Sequence, residues 1–246
     1  KHKRKMTAQN NKIKVITLDL DNTLWDVEAT IIVAEKNMRM WMQDNVPDAL
    51  TIYKSDATAE IRSNVVADNP TQIHDLTFLR IEVLFRIIAA SGVASTQARS
   101  LAEEAFAVFF KGRNDVAFFP GALEMLDFLS QRYALFSLTN GNADVEQVGI
   151  AKFLTDAVSS ADVGASKPSR QMFEAVLDRA GVSADQCIHV GDHLIDDIEG
   201  ANNAGMHSLW VNLTEQVRTE DQAKANIEVT NLEELPAALE AYQGSL

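Results

Sequence analysis

Val15-Ile16-Thr17-Leu18-Asp19-Leu20-Asp21-Asn22-Thr23-Leu24 is an apolar, β-branched run that ends in two carboxylates one residue apart. A run of this kind, bounded by turn residues, reads as a strand buried on both faces, as in parallel sheets covered by helices. Ligands of such folds gather at the carboxyl ends of the strands, where Asp19 and Asp21 stand. Residues two apart on a strand share a side, so both carboxylates are expected to face one crevice if the extended backbone continues that far. Two ionised carboxylates this close repel each other, which calls for a cation or a shared proton.

The chain around this stretch has 246 residues, 46% of them hydrophobic, enough for a large core. Lys and Arg number 22 against 35 Asp and Glu, a net charge of −13. Five of the positive charges, Lys1, Lys3, Arg4, Lys5 and Lys12, fall in the first twelve residues, so the remainder is more acidic still. That surface argues against nucleic acid or an anionic membrane as the main partner, and an anionic substrate would need a local cationic site. The single cysteine, Cys187, sits in an apolar run and reads as a small buried hydrophobe. No apolar segment approaches the roughly 18 residues needed to span a bilayer. The basic start has no apolar stretch behind it, so no secretory signal and a cytoplasmic location are expected, with residues 1–12 a solvated, disordered tail.

From about Ile31 to Lys111 the pattern is helical, with Ile32, Met38, Trp41 and Met42, then Leu76, Leu79, Val83, Leu84, Ile87 and Ile88, then Leu101, Ala105, Phe106 and Phe109 at helical spacing. Gly92 reads as a helix stop, with Ser95 or Thr96 as the next N-cap. After Pro120-Gly121 the order changes. Helices are expected over Ala122–Gln131, Ala143–Phe153, Arg170–Ala180 and Asp196–Ala204, and strands over Tyr133–Leu138, Ala157–Ser159, Cys187–Val190 and Ser208–Val211. Strands alternating with helices imply βαβ units and a parallel sheet, which the first strand must join. The expected fold is α/β, a Rossmann-like doubly wound sheet formed by 13–25 and 116–246, with an inserted α-helical cap over 26–115.

Four stretches line up at four strand ends: Asp19-Leu20-Asp21-Asn22-Thr23, Ser137-Leu138-Thr139-Asn140-Gly141-Asn142, Ser166-Lys167-Pro168, and Val190-Gly191-Asp192-His193-Leu194-Ile195-Asp196-Asp197. Together, in this order, they resemble the haloacid dehalogenase superfamily, most of whose members are phosphatases, and the helical insert resembles that family's C1 cap. The resemblance implies Asp19 as the nucleophile that forms an aspartyl phosphate, and Asp21 as the general acid and base. It implies a phosphate site from the Thr139 hydroxyl, the N–H groups of Asn140 and Gly141, and the Lys167 ammonium, which balances Asp19 and the phosphoryl group. Mg²⁺ is the implied cofactor. Its direct ligands would be Asp19, the backbone carbonyl of Asp21, and Asp192, with Asp197 acting through water or by orienting Lys167. Asp196 could exchange roles with Asp197. In the cap, His74, Arg80 and Arg113 are candidate substrate contacts, whereas Phe106 and Phe109 read as cap core.

The activity implied is Mg²⁺-dependent hydrolysis of the phosphate monoester of a small metabolite. The Asp-Asn-Thr-Leu-Trp opening, Ile73-His74-Asp75-Leu76-Thr77 and Thr139-Asn140-Gly141-Asn142 look most like bacterial flavin-pathway phosphatases, which act on phosphorylated ribitylaminouracil or flavin mononucleotide. Two alternatives share parts of the pattern. A phosphosugar mutase has the same motifs and cap, and a non-enzymatic phospho-receiver has an Asp cluster, a Thr and a Lys. Haloacid dehalogenation is disfavoured, because its enzymes lack the acid at the position of Asp21, which a halide leaving group does not require.

Overall fold

The computed structural model describes residues 12–246; apart from Lys12, the basic tail lies outside the described residues. In chain order the elements are β1 (Val15–Leu18), α1 (Val27–Asn45), α2 (Pro47–Tyr53), α3 (Ala57–Asp68), α4 (Leu76–Ala90), α5 (Ser95–Arg113), α6 (Ala122–Ser130), β2 (Ala134–Thr139) and α7 (Val145–Val148). There follow β3 (Asp156–Ser159), α8 (Ser160–Val163), α9 (Arg170–Ala180), β4 (Cys187–Gly191), a π-helical turn over Leu194–Glu199, α10 (Gly200–Asn203), β5 (His207–Val211), β6 (Ile227–Val229) and α11 (Leu235–Gln243).

All six strands run parallel in the order β3-β2-β1-β4-β5-β6. β1 is central, with Leu18 opposite Ser137 of β2 on one side and Val190 of β4 on the other. From β1 the sheet first grows toward β2 and β3 and then, from β4 on, in the opposite direction. A crevice opens at the carboxyl end of β1, where connections leave in opposite directions. β1 is buried throughout because its alternate side chains enter two apolar layers. Ile16 and Leu18 pack with Leu126 and Leu129 of α6 and Leu235 and Leu239 of α11. Val15 joins Phe136, Leu138 and α9, through Met172, Phe173 and Val176.

The five helices between β1 and α6 form a body with its own apolar cluster, including Met38, Met42, Leu84, Ile87, Ile88, Ala105 and Phe109. The chain enters this body through Asp26, which caps α1 by accepting from the Ala29 N–H. Entry and exit are tied together, since Phe119 N–H donates to Leu24 C=O at 2.8 Å and the rings of Trp25 and Phe118 meet edge to face. α1 and α5 approach closely where Gly112 rests on Ala34.

Several expected boundaries differ. The helix expected over Ala143–Phe153 is one turn, Val145–Val148, ended by Gly149 at φ +86°, with a 3₁₀ turn over Ala151–Phe153 beyond it. The helix expected to begin at Asp196 begins two residues earlier as the π-helical turn. Ala94 rather than Ser95 caps α5, without a side-chain bond. β6 and α11 lie beyond the last expected strand, where no element was anticipated. No described helix is long and apolar enough to cross a membrane.

Replacing Gly112 by Ala places a methyl 2.8 Å from the Cα of Ala34. Helix propensity would gain up to about 1 kcal/mol, but overpacking against backbone costs roughly 1 to 3 kcal/mol. Gly112→Ala should therefore lower the unfolding free energy, read by urea denaturation; a gain in stability would contradict this packing.

Candidate active site

The loops after β1, β2 and β4 and the loop before α9 converge on one buried ammonium. Lys167 Nζ donates to Asp19 Oδ1 and to Asp197 Oδ1, both at 2.6 Å, with the lysine side chain 2% exposed and that of Asp197 1% exposed. Asn140 holds the lysine's backbone, its amide accepting from Lys167 N–H at 2.7 Å and donating to Lys167 C=O at 3.0 Å. The side chain of Asn140 thus ties the β2 loop to the lysine loop. Thr139 is buried, and its Oγ1 accepts from Gly141 N–H at 2.9 Å, which fixes the hydroxyl and leaves its own hydrogen to donate.

Asp197 is anchored on every side. Besides Lys167, it accepts from His193 N–H at 2.9 Å and from the ring of His189 at 3.0 Å. His189 in turn meets Thr17 Oγ1 at 2.8 Å through Nδ1. A carboxylate only accepts, so the neutral imidazole carries its proton on Nε2 and takes one from Thr17 at Nδ1. The result is a buried chain running Thr17, His189, Asp197, Lys167, Asp19. His189 and Thr17 face each other across β1 and β4, and neither stood out in the sequence, where His189 read as part of an apolar strand. Gly191 makes room for the chain, since a Cβ there would run into the Asp197 carboxylate. Asp196, by contrast, lies at the rim with its side chain 37% exposed, beside His193.

Charge is shared unevenly across this cluster. Burial pushes the Asp19 carboxyl up to about 8, with Asp197 and Asp192 adding to the rise and Lys167 only partly opposing it. Burial acting with Asp197 raises Asp192 to about 6. Desolvation would also raise Asp197, yet Lys167 and the His189 hydrogen bond hold it well below the usual range. Burial alone would lower Lys167, but two carboxylates keep it protonated, above its ordinary value. Burial keeps His189 below 6.5. Lys167 lies 2.6 Å from both Asp19 and Asp197 and makes no hydrogen bond to Asp192, so one ammonium faces three carboxylates and the cluster is short of positive charge.

A divalent cation fits that shortage. One oxygen from each of Asp19, Asp192 and Asp197 lies within 4.8 Å of the others, an all-oxygen set of the kind hard cations such as Mg²⁺ prefer. Both oxygens of Asp197 are engaged by Lys167, His189 and His193, which leaves Asp19 and Asp192 as the freer donors. Thr23 orients both, donating to Asp192 Oδ1 at 3.1 Å and lying 3.5 Å from Asp19 Oδ2.

Asp21 sits apart from this cluster. Its carboxylate accepts from Trp25 Nε1 at 2.9 Å and from Arg113 Nη2 at 2.6 and 2.8 Å. Arg113 ends α5, so the helical body itself holds Asp21. Two cavities meet at this carboxylate. A polar one of about 190 Å³ is lined by Asp19, Lys167, Asp192 and Thr139. A larger one of about 630 Å³ lies under the helices, lined by Ile31, Leu79, Val83 and Phe109 together with Glu35, Tyr53, Arg80 and Arg113. Asp21 and Gly141 line both. Of the other cap candidates, Arg80 lies over the Phe109 ring at 3.6 Å and pairs with Glu35. His74 lines neither cavity; its Nδ1 meets Ser166 Oγ at 2.7 Å, and its carbonyl accepts from Ser160 Oγ at 2.9 Å, joining the helices to the sheet layer. Cys187 is buried and its thiol is pushed up to about 12, which makes it unreactive.

Comparison with known proteins adds a family. Residues 13–205 match the model of the haloacid dehalogenase-like hydrolases. The 5-amino-6-(5-phospho-D-ribitylamino)uracil phosphatase YigB of Escherichia coli K12 is 28% identical over 200 residues, 81% of this chain and 84% of that protein. A phosphoserine phosphatase of Thermus thermophilus is 31% identical over 163 residues, 63% of each chain. A solved structure described as a 2-haloacid dehalogenase from Pseudomonas syringae superposes with a TM-score of 0.88 at 37% identity, covering 94% of this chain and 99% of that one.

The raised carboxyls give a signature that needs no substrate. A carboxyl raised on folding stabilises fully below its unfolded value of 3.8, and that contribution is lost as pH climbs through the folded value. His189 acts in the opposite sense below 6.5, so the interval from there to about 8 belongs chiefly to Asp19. Metal-free protein should lose thermal stability across that interval, and Mg²⁺ should restore it most at the upper end. A melting temperature flat across the interval and unmoved by excess Mg²⁺ would contradict a metal site here.

Proposed function

The chain belongs to the haloacid dehalogenase-like hydrolases, and from that membership we propose that it hydrolyses the phosphate monoester of a small metabolite through an aspartyl phosphate on Asp19. The observation that carries this reading is the position of Asp21 at the junction of the polar and the apolar cavity. A phosphoryl group held beside Asp19 and Lys167 would put its ester oxygen at that junction, with the alcohol under the helices.

The residues divide the work as follows. An Asp19 oxygen attacks phosphorus, the bond to the alcohol oxygen breaks, and Asp21 gives that oxygen a proton. Water then attacks the phosphorus of the acyl phosphate, Asp21 takes a proton from it, and Asp19 is released with inorganic phosphate. Lys167 balances negative charge on Asp19 and the phosphoryl oxygens, while Asp197 and His189 hold the ammonium in place. Thr139, whose oxygen accepts from Gly141 N–H, has its hydroxyl hydrogen left to donate to the same oxygens. Mg²⁺, bound by Asp19, Asp192 and the backbone carbonyl of Asp21, would lower the repulsion between an anionic nucleophile and an anionic ester. The helices over 26–115 act as a cap that excludes water from the reacting atoms.

A flavin-pathway phosphate such as 5-amino-6-(5-phospho-D-ribitylamino)uracil or flavin mononucleotide is the proposed substrate, supported by the similarity to the E. coli phosphatase over most of both chains. The similarity to a protein described as a haloacid dehalogenase raises the competing activity. A halide departs without a proton, so Asp21 would have no work in that reaction. Location in the cytoplasm fits a metabolite substrate.

Asp19→Asn should abolish turnover while leaving the fold intact, since an amide is a poor nucleophile and a poor Mg²⁺ ligand. Asp21→Asn should slow hydrolysis of a sugar phosphate far more than that of p-nitrophenyl phosphate, whose leaving group needs little protonation. General acid help is worth about 10² to 10⁴-fold, so the contrast is measurable by steady-state kinetics. Equal losses on both esters, with the first displacement limiting, would remove Asp21 from the acid's role. Release of halide from 2-chloropropionate at a rate comparable to ester hydrolysis would favour the competing activity.

A further inference from the structure

Glu35, Tyr53 and Arg80 form a polar group in the larger cavity, with Arg62 also in its lining and the apolar side chains of Ile31, Val65, Leu79 and Val83 making up much of the wall. Glu35 accepts from Tyr53 Oη at 2.8 Å and pairs with Arg80, whose guanidinium lies 3.6 Å from the Phe109 ring centre, and at 3.7 Å with Arg39. Tyr53 is buried, and the Glu35 and Arg80 side chains are only 18% and 28% exposed, so these groups are largely withdrawn from water. A half-buried ion pair against apolar walls is expensive unless its remaining donors and acceptors are used.

Their position along the helices is telling. Val27, Ile31 and Glu35 are spaced by four on α1, and all three line the cavity. Eight residues of helix rise about 12 Å, so Glu35 stands that far up from the first turn beside Asp21. Between lie apolar walls from Ile31, Leu79 and Val83. At the lower end, Arg113 Nη1 is buried with no hydrogen-bond partner among the described residues, while its Nη2 holds Asp21. An orphaned buried donor beside the acid calls for an acceptor brought by the ligand.

We infer that Glu35, Tyr53 and Arg80 are a recognition site for the far edge of an extended leaving group, an alcohol whose oxygen-bearing chain meets Arg113 and whose flat ring presents its own N–H and C=O groups at the top of the cavity. The inference rests on the phosphatase reading above and names what its cavity selects. The guanidinium of Arg80 donates to ring carbonyls, and the Glu35 carboxylate, with lone pairs beyond those turned to Tyr53, Arg80 and Arg39, accepts from ring N–H. Three-carbon alcohols bound at Asp21 cannot reach this edge. They would leave both it and the apolar walls unmatched.

The test compares three esters under Mg²⁺: glycerol 3-phosphate, ribitol 5-phosphate, and 5-amino-6-(5-phospho-D-ribitylamino)uracil, with p-nitrophenyl phosphate as a general probe. The ring-bearing ester should exceed ribitol 5-phosphate in kcat/KM by about tenfold or more, the discrimination expected when charged groups bind a ring edge. Tyr53→Phe and Glu35→Gln should shrink that ratio several-fold, mainly through KM for the ring-bearing ester. A purely structural ion pair would lower all esters alike and leave the ratio unchanged, which overturns the inference, as does a wild-type enzyme that prefers the short esters. The free ribitylaminouracil alcohol should also inhibit wild type competitively where ribitol does not, a readout independent of whether either variant folds; equal inhibition by both overturns the inference. Hydrolysis of the short esters and p-nitrophenyl phosphate without the long one would remove this inference alone, whereas hydrolysis of none would remove the phosphatase reading and this inference together.

Discussion

Burying one ammonium among three carboxylates is the constraint on which the rest of the molecule depends. Lys167 is withdrawn from water between Asp19 and Asp197, and a pair like this is tolerated only when its hydrogen bonds are complete. Every strand near the centre of the sheet contributes to completing them. β1 brings Asp19 and, two residues earlier, Thr17; β4 brings His189, with Asp197 and the N–H of His193 following it. Asn140, after β2, locks the lysine's backbone. Removing one partner from such a set typically costs about 3 to 5 kcal/mol, so the site and the stability of the sheet's carboxyl end are one feature.

The same constraint leaves the cluster poised for a cation. Lys167, 2.6 Å from both Asp19 and Asp197, cannot balance three carboxylates, so the cluster carries more negative than positive charge. On the proposed function, an acidic protein would reach a locally electropositive phosphate site in two steps, a fixed lysine and a bound Mg²⁺. The Asp21 carboxylate is held by Trp25 and Arg113, and its tie to α5 links the carboxyl end of β1 to the helical body.

Much of this was legible in the sequence, for physical reasons that also explain what was missed. The parallel sheet follows from apolar runs in alternation with helical periodicity, and the site from acids at the ends of those runs. Short elements leave little pattern: β6, with three residues, has no signal of its own, and the helix expected over Ala143–Phe153 is cut to the single turn α7 by Gly149. His189 was hidden because a single polar residue in a buried strand looks like an interruption until its partner across the sheet is known to be Thr17. Asp196 and Asp197 could not be told apart by sequence, being neighbours; the turn buries one and leaves the other at the rim. Glu35, Tyr53 and Arg80 are scattered over three helices, so their grouping exists only after packing. His74 had the chemistry of a substrate contact, and its bond to Ser166 puts it at the seam between helices and sheet.

The proposed covalent transfer of the phosphoryl group to Asp19 is tested most directly by trapping. A single turnover with a phosphate monoester and Mg²⁺, quenched in acid during the burst and reduced with borohydride, converts an acyl phosphate to homoserine. Peptide mass spectrometry should find homoserine at residue 19, with inorganic phosphate rising as the trapped species decays. Full hydrolysis with residue 19 recovered only as aspartate at every quench time, or with homoserine at another acid, would contradict the account.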